Sequence, residues 1–401
     1  MHIGFVSTEY ITETEFAGGL ANYLFRTAKA LASRGHDIEI FTLSDNNAEF
    51  IHEGIRVHRI KNKSSIFSLL NSISRYKFKR SIRFLSLSYC LRRKLLSCHQ
   101  ENPFDVIQVT NCFACGIFFS FGIKIPVIVR VSSYEPLFRK YYRIPLTMDQ
   151  KICEWLETLA LKRLDGVYAP SRFMANILRE KGINADVIRP IFYINTYISE
   201  ESIYKKYLDG KKYLFFFGAI GYLKGCYELA KVLPKLFAKY PDIHFACAGE
   251  ILKGPDGNDM LNYIKLEAGE FACRVHYLGV LRYPQLYPII KKAHAIILPS
   301  LIDNLPNTML EAMAFGKVVV GSKGVSFDEF IEDKISGFLV SPSDINSLFE
   351  TIDKVINLSE EQILKIGQKA ADKISQLRPE ITAPKLENYF NKFILNKKIT
   401  V

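Results

Sequence analysis

No run of 18 uncharged apolar residues occurs in the 401-residue chain, so no conventional membrane-spanning helix is expected. The first residues, MHIGFVSTEY, lack the basic start of a signal peptide and read as a buried strand. A cytoplasmic protein is the resulting expectation. Metal-type cysteine spacing is also lacking. Of eight cysteines only Cys112 and Cys115 form a C-x-x-C. No second pair or histidine cluster with ligand spacing accompanies it, whereas a zinc site needs about four ligands. Cysteines such as Cys90, Cys153, Cys247 and Cys273 sit mainly in apolar segments and read as reduced, buried residues. A redox pair at Cys112 and Cys115 is the other reading. No strand is followed by G-x-G-x-x-G, which argues against a dinucleotide-dependent oxidoreductase.

Acid is missing from one long stretch. Between Gly54 and Gln100 there is no Asp or Glu, but there are twelve Lys and Arg, equal to the whole net charge of +12. The rest of the chain is neutral. Such a local cationic surface needs its own explanation. Within it, SRYKFKRSIRFLSLSYCLRRKLL mixes cations with Phe, Tyr and Leu. This suits an amphipathic element on anionic lipid, with peripheral attachment to the inner face of the cytoplasmic membrane. It equally suits a solvated helix pair with a basic face. A nucleic-acid patch is the rival reading. No nucleic-acid module accompanies it, so no nucleic-acid partner is expected.

The length exceeds one typical core, and the chain is apolar enough to fill two. HIGFVST, DIEIFTL, DVIQVT and IPVIVRV read as strands of the first half. ANYLFRTAKALASRGH, between the first two, has helical apolar spacing, a basic last turn and a terminating glycine. KYLFFFGAI, HFACAGE, RVHYLGV, HAIILPS and KVVVGS repeat the strand pattern in the second half. Apolar strands alternating with helices imply parallel sheets covered on both faces. The expected class is α/β, with two Rossmann-like domains whose sheets face across a cleft. The expected boundaries are 1–197, 198–375 and a C-terminal helix, 376–401, packing back on the first domain. Ligands of such sheets bind at the carboxyl ends of strands.

The segment PSLIDNLPNTMLEAMAFGKVVVGS, Pro299 to Ser322, reads as strand end, loop, helix and strand. Pro306 suits the first helical turn, where its missing N–H has no partner to lose. The amides of Asn307, Thr308 and Met309 then form a helix start fit for a phosphate or diphosphate. Glu311, placed in that first turn, can accept two bonds from a vicinal diol such as a ribose. Asp303, on the loop before, can accept bonds from sugar hydroxyls. For either acid alone, a helix-stabilising role is an equal reading.

The same stretch resembles glycosyltransferase family 4, retaining enzymes of GT-B fold whose signature is Glu-x7-Glu. Here it reads Asp303-x7-Glu311, with Pro306-Asn307-Thr308, Leu310-Glu311-Ala312-Met313-Ala314 and Gly316 between and after. The resemblance implies that Glu311 binds the nucleotide ribose, that amides near Thr308 hold the donor diphosphate, and that Asp303 contacts the donor sugar. Asp in place of Glu shortens that reach by one methylene. FFFGAIGYLKG resembles the family's phosphate-binding strand and loop. Lys224 then falls on the phosphate-binding lysine, Gly218 in the loop, and Ala219 where the family carries arginine. A solvated lysine is the alternative for Lys224. EFAGGLANYL resembles the glycine-rich loop after the first strand, where Gly18 and Gly19 let backbone approach donor phosphates or acceptor. Ser132 falls on the family's sugar-contacting histidine, and Arg130 beside it is either a structural charge or an acceptor contact. Gly249 follows a strand as in the family's donor-side segment. Arg274 to Gly279 resembles the strand before the nucleobase loop.

The resemblance implies transfer of a sugar from a UDP- or GDP-sugar to a glycan or lipid-linked glycan in polysaccharide biosynthesis. No cofactor or bound metal is expected. A second reading, prompted by Ala219 and Ser132, is a non-catalytic nucleotide-sugar or glycan binder on the same fold. A nucleotide-sugar epimerase shares the fold but not the signature.

Overall fold

The alternating strands and helices build two units in the computed structural model, which describes residues 1–13, 18–142, 146–195, 197–254 and 257–399. Unit 1 comprises residues 1–191 and 379–401, and unit 2 comprises 192–378. The strands of unit 1 are β1 (His2–Ser7), β2 (Asp37–Ser44), β3 (Ala48–His52), β4 (Ile55–Lys61), β5 (Val106–Thr110), β6 (Val127–Arg130), β7 (Gly166–Ala169) and β8 (Asp186–Val187). They lie in the order β3-β4-β2-β1-β5-β6-β7-β8. Every residue of β1, β5, β6 and β7 is buried, as a sheet covered on both faces requires. The expected all-parallel sheet has one exception. β3 runs antiparallel to β4, because Glu53 and Gly54 both take positive φ and close a two-residue hairpin.

Unit 2 holds β9 (Lys212–Phe217), β10 (Ile243–Ala248), β11 (Val275–Tyr277), β12 (Ala295–Leu298), β13 (Val319–Ser322) and β14 (Phe338–Val340). Their order is β11-β10-β9-β12-β13-β14, all parallel. Chain order reverses between β9 and β12, so the connections leave to opposite sides and open a crevice at their carboxyl ends. In unit 1 the corresponding point lies between β1 and β5.

The units divide at Ile191/Phe192 and Arg378/Pro379 rather than at 197/198 and 375/376. Phe192 is buried and its amide donates to Leu377 O at 2.8 Å. The polar stretch after residue 197 thus lies inside unit 2, not at its border. Three of the cysteines read as buried are so, but Cys273 is exposed on the turn Gly269–Arg274 that precedes β11.

The helix Pro379–Ile399 completes unit 1. Its Tyr389 hydroxyl donates to Val167 O at 3.0 Å. Phe393 fills the space that a side chain on Gly166 would need. Arg34 makes a two-pronged bond to Glu387 from the helix Gly19–Ala32 side. Phe390 is fully buried on the same helix. Phe390→Ala is expected to destabilise unit 1 by about 3–5 kcal/mol through lost transfer energy and a cavity. Urea unfolding followed by circular dichroism checks this, and an unchanged midpoint would show that the helix does not support the fold.

Candidate functional site

Sequence-distant residues of unit 2 meet at the carboxyl ends of β9 and β12. After β9 the chain passes through Gly218 and Ala219 into a single 3-10 turn, Tyr222–Lys224, and then the helix Cys226–Lys239. Gly225 has φ +74°, and a Cβ there would lie 1.9 Å from Pro299 O. Only glycine permits that approach. The contact sets the Lys224 loop against the loop after β12, as does the bond from Leu301 N to Leu223 O. Lys224 Nζ consequently lies 2.6 Å from Asp303 Oδ2. Ser300 Oγ donates to the same oxygen at 3.2 Å, and the Asn304 amide donates to Oδ1 at 3.0 Å. The Asp303 side chain is 10 % exposed and that of Lys224 32 %. The acid is therefore held inside while the ammonium keeps an open side. A lysine ammonium has three donor hydrogens, so Lys224 can keep Asp303 and still bond an incoming anion.

Gly218 and Gly249 pack backbone on backbone beside this pair. A Cβ on Gly249 would sit 1.9 Å from Gly218 O, so the role of Gly249 here is to let the ends of β9 and β10 close up. Gly218 in turn faces Thr308, whose Cγ2 lies 3.4 Å from where a Gly218 Cβ would be.

The helix after the Pro-Asn-Thr segment starts one residue later than expected. Pro306 is its N-cap with ψ 131°, and the helix spans Asn307–Ala314. Met309 and Leu310 both donate to Pro306 O, at 3.1 and 3.3 Å. The Met309 amide is thereby used within the chain and does not face a ligand. Thr308 N has no acceptor among the described residues. Glu311, expected in the first turn, is the fifth residue of this helix and lies in its second turn, where it is not helix-capping. Glu311 is 3 % exposed, and Tyr283 donates its hydroxyl to Oε1 at 3.1 Å. Tyr283 begins the helix Tyr283–Lys292. Sequence reasoning missed it. The signal available was its place just past Gly279, in the loop where the family resemblance puts the nucleobase.

The remaining expected residues lie on unit 1. Gly18 is the N-cap of the helix Gly19–Ala32, and the adjoining Glu15, Phe16 and Ala17 of the glycine-rich segment lie outside the described residues. Next to Gly18 stands the Glu9 carboxylate, whose Oε2 would be 3.3 Å from a Gly18 Cβ. Burial pushes the Glu9 carboxyl up, and a bond from the Ala21 amide partly opposes this. The chain's own acid thus occupies the helix start expected for an external anion. The Ser132 hydroxyl accepts from Arg130 Nη1, and the Ser132 amide donates to Asn111 Oδ1 at 2.9 Å. Arg130 is buried with its guanidinium 3.5 Å from the Tyr23 ring centre. Asn111 also donates to Ser133 O and to Glu157 Oε1.

In the acid-free stretch the helix Lys79–Glu101 buries one face in the unit 1 core. The preceding helix, Ser65–Ile73, buries only Phe67. Ile66, Leu69, Leu70 and Ile73 recur at helical spacing and are 42–69 % exposed, followed by Tyr76 at 63 %. Arg75, Lys77, Lys79 and Arg83 follow them in the chain and form no ion pair among the described residues.

Two family models match the chain. Glycosyltransferase Family 4 covers residues 17–192, and Glycosyl transferases group 1 covers 199–373. The chain belongs to the family 4 glycosyltransferases. An uncharacterized glycosyltransferase of Methanocaldococcus jannaschii is 23 % identical over 89 % of both chains. The alpha-monoglucosyldiacylglycerol synthase of Streptococcus pneumoniae is 22 % identical over 84 % of this chain and 75 % of its own. Sucrose-phosphate synthase from Thermosynechococcus elongatus superposes with a TM-score of 0.77 at 15 % identity, covering 99 % of this chain and all of its own. Anabaena HepE in complex with UDP gives 0.70 at 19 % identity, over 98 % of this chain and all of its own. This family 4 glycosyltransferase therefore has the GT-B fold, and the Lys224–Asp303 and Tyr283–Glu311 pairs lie in the part matched by the group 1 model.

Glu157 gives this glycosyltransferase a pH dependence. Burial raises its pKa to about 8, against the hydrogen bond from Asn111, which lowers it. The folded chain keeps a proton that the unfolded chain releases above its ordinary value of 4.5. Stability is then lost as pH rises from about 5 to 8. Glu157→Gln is expected to flatten that slope in denaturant unfolding; a slope equal to that of the unaltered chain would remove Glu157 as its source.

Proposed function

We propose that the glycosyltransferase transfers a sugar, with retention of anomeric configuration, from a nucleoside-diphosphate sugar held on unit 2. The observation carrying this reading is the convergence of a partly open ammonium, a free helix-start amide and a buried carboxylate. Lys224 and the Thr308 amide take the diphosphate, which they suit by charge and by dipole. Glu311, oriented by Tyr283, takes the ribose diol. Asp303 holds Lys224 and is near enough for the donor sugar only where a hydroxyl reaches its loop. The C1–O bond to the diphosphate breaks with oxocarbenium character, and Lys224 offsets the charge building on the leaving oxygen. An acceptor hydroxyl attacks C1 from the face the diphosphate leaves, and its proton passes to the departing phosphate oxygen. No side-chain base is needed. Gly18, Gly19 and Ser132 are assigned to the acceptor or the sugar end, and Ser132 then depends on Arg130 and Asn111 for its orientation.

The acceptor we propose is a lipid-linked glycan used in surface polysaccharide assembly. The exposed apolar stripe of the helix Ser65–Ile73, followed in the chain by cations with no ion pair among the described residues, supports docking on an anionic bilayer. Each such cation contributes about 1 kcal/mol near the surface. The similarity to a relative named alpha-monoglucosyldiacylglycerol synthase agrees with this.

Thermal unfolding with UDP, GDP, ADP and CMP tests the donor. One diphosphate is expected to raise the unfolding temperature, and Glu311→Ala to abolish the rise. Lys224→Ala is expected to lower kcat by about 10²–10³-fold with the matching sugar donor. Persistence of the nucleotide effect in Glu311→Ala would place the ribose elsewhere. Stabilisation without turnover of any donor would favour a binder, and product of inverted configuration would overturn retention.

Flotation with vesicles tests docking. Binding to phosphatidylglycerol vesicles, weakened by salt and lost in the combined Leu69→Ser, Ile73→Ser variant, is expected. Equal binding to neutral phosphatidylcholine vesicles would refute the charge argument.

A further inference from the structure

Near the amino ends of β1 and β2, away from the strand ends considered above, unit 1 buries an unusual set of donor atoms. Glu39 on β2, His58 on β4 and Cys98 on the helix Lys79–Glu101 each present one ligand atom, and these three lie within 4.8 Å of one another. All three residues are 9 % exposed or less. They come from positions 39, 58 and 98, so no sequence spacing announces them.

The cluster does not satisfy its own polar atoms. His58 Nε2 lies 2.7 Å from Glu39 Oε2, and His2 Nε2 lies 3.3 Å from Glu39 Oε1. The other ring nitrogens face outward to oxygen: His2 Nδ1 is 3.1 Å from Pro103 O, and His58 Nδ1 is 3.2 Å from Glu49 Oε2. His2 Nε2 and His58 Nδ1 are nevertheless buried without an aligned hydrogen-bond partner. A carbonyl only accepts, so His2 carries its proton on Nδ1. Its Nε2 then meets the Glu39 carboxylate favourably only when that nitrogen carries a proton as well. Such an arrangement calls for a positive charge among these groups. An imidazole whose far nitrogen is held by an oxygen is the usual outer support of a metal ligand.

We propose that Glu39 Oε2, His58 Nε2 and Cys98 Sγ bind a zinc ion, with His2 and Glu49 orienting the carboxylate and the imidazole from outside. Mixed sulfur, nitrogen and oxygen donors fit zinc and not magnesium or calcium. Zinc bonds of about 2.0–2.3 Å in tetrahedral geometry place ligand atoms roughly 3.3–3.8 Å apart. The His58–Glu39 contact opens by about 0.6 Å to admit the ion, and the Cys98 sulfur draws in. Water takes the fourth position. The charges balance: Zn²⁺ meets one carboxylate and one thiolate, and the Cys98 proton leaves to solvent. Burial pushes the Cys98 thiol up, and Lys94, beside both Cys98 and Glu49, opposes this only in part. The ion ties β2, β4 and the helix end together, a structural role independent of sugar transfer.

The full chain, stripped with chelator and dialysed, is titrated with ZnCl2 and separately with Co²⁺. Zinc is expected to bind at one per chain and to raise the unfolding temperature by about 3–6 °C at saturation. Cobalt is expected to give thiolate charge-transfer absorption. That absorption persists in Cys273→Ser, whose thiol is exposed, and is lost in Cys98→Ser. Absence of the absorption from the unaltered chain, or its loss in Cys273→Ser alone, would overturn the site, as would zinc without effect on unfolding. A folding failure of Cys98→Ser leaves the first of these decisive. Neither readout uses donor turnover, so failure here and failure of the functional reading are distinguishable.

Discussion

The ion pair between Lys224 and Asp303 joins the two loops on which the donor-side geometry is built. It exists because β9 and β12 are neighbours in the sheet though far apart in the chain. Gly225 then lets the first loop touch Pro299 of the second. A methyl group at that position would force the loops apart and remove the pair. The pair is also chemically economical of motion. Asp303 is fixed by Ser300 and the Asn304 amide, so Lys224 is aimed before any ligand arrives. Preorganised charge of this kind needs little rearrangement when an anion develops.

The layout was largely readable in the residues. Continuous apolar runs such as those of β1, β9 and β12 have few alternatives to buried parallel strands. Asp303, Pro306, Asn307, Thr308 and Glu311 sit on one loop and helix, so their proximity follows from the local chain alone. Tyr283 and Asn111, the amide partner of Ser132, were not readable. Each is brought in by packing between elements separated by tens of residues, and nothing in a lone Tyr or Asn marks it. The one-residue delay of the helix after Pro306 was missed for a different reason. Proline is accepted both at the N-cap and just inside a helix, and the choice rests on its ψ, which the sequence does not specify. The same delay left Met309 bonded to Pro306.

The two units handle buried acid differently. In unit 2, buried Asp303 meets an ammonium that keeps one side open. In unit 1, Glu157 pairs with no cation among the described residues and is held neutral by burial, while its partner Asn111 supports the backbone at Ser132 and Ser133. A neutral carboxyl of this sort is a hydrogen-bonding strut whose strength depends on its proton. The Glu39 cluster is a third solution, in which one carboxylate is shared between two imidazoles. The helix Ser65–Ile73 shows the reverse economy, with apolar side chains left outside the core that the next helix fills.

Unit 2 is a continuous insertion, residues 192–378, within a unit 1 that is made of two pieces. The face of β7 at Gly166 and Val167 is covered by residues 389 and 393. During synthesis, then, the second unit has all of its residues before the first can close. Strands β1 to β8 must wait, with that face uncovered, while nearly 190 further residues are made. A chain cut short just after unit 2 would therefore damage the part made earliest, and the defect would surface far in sequence from the break.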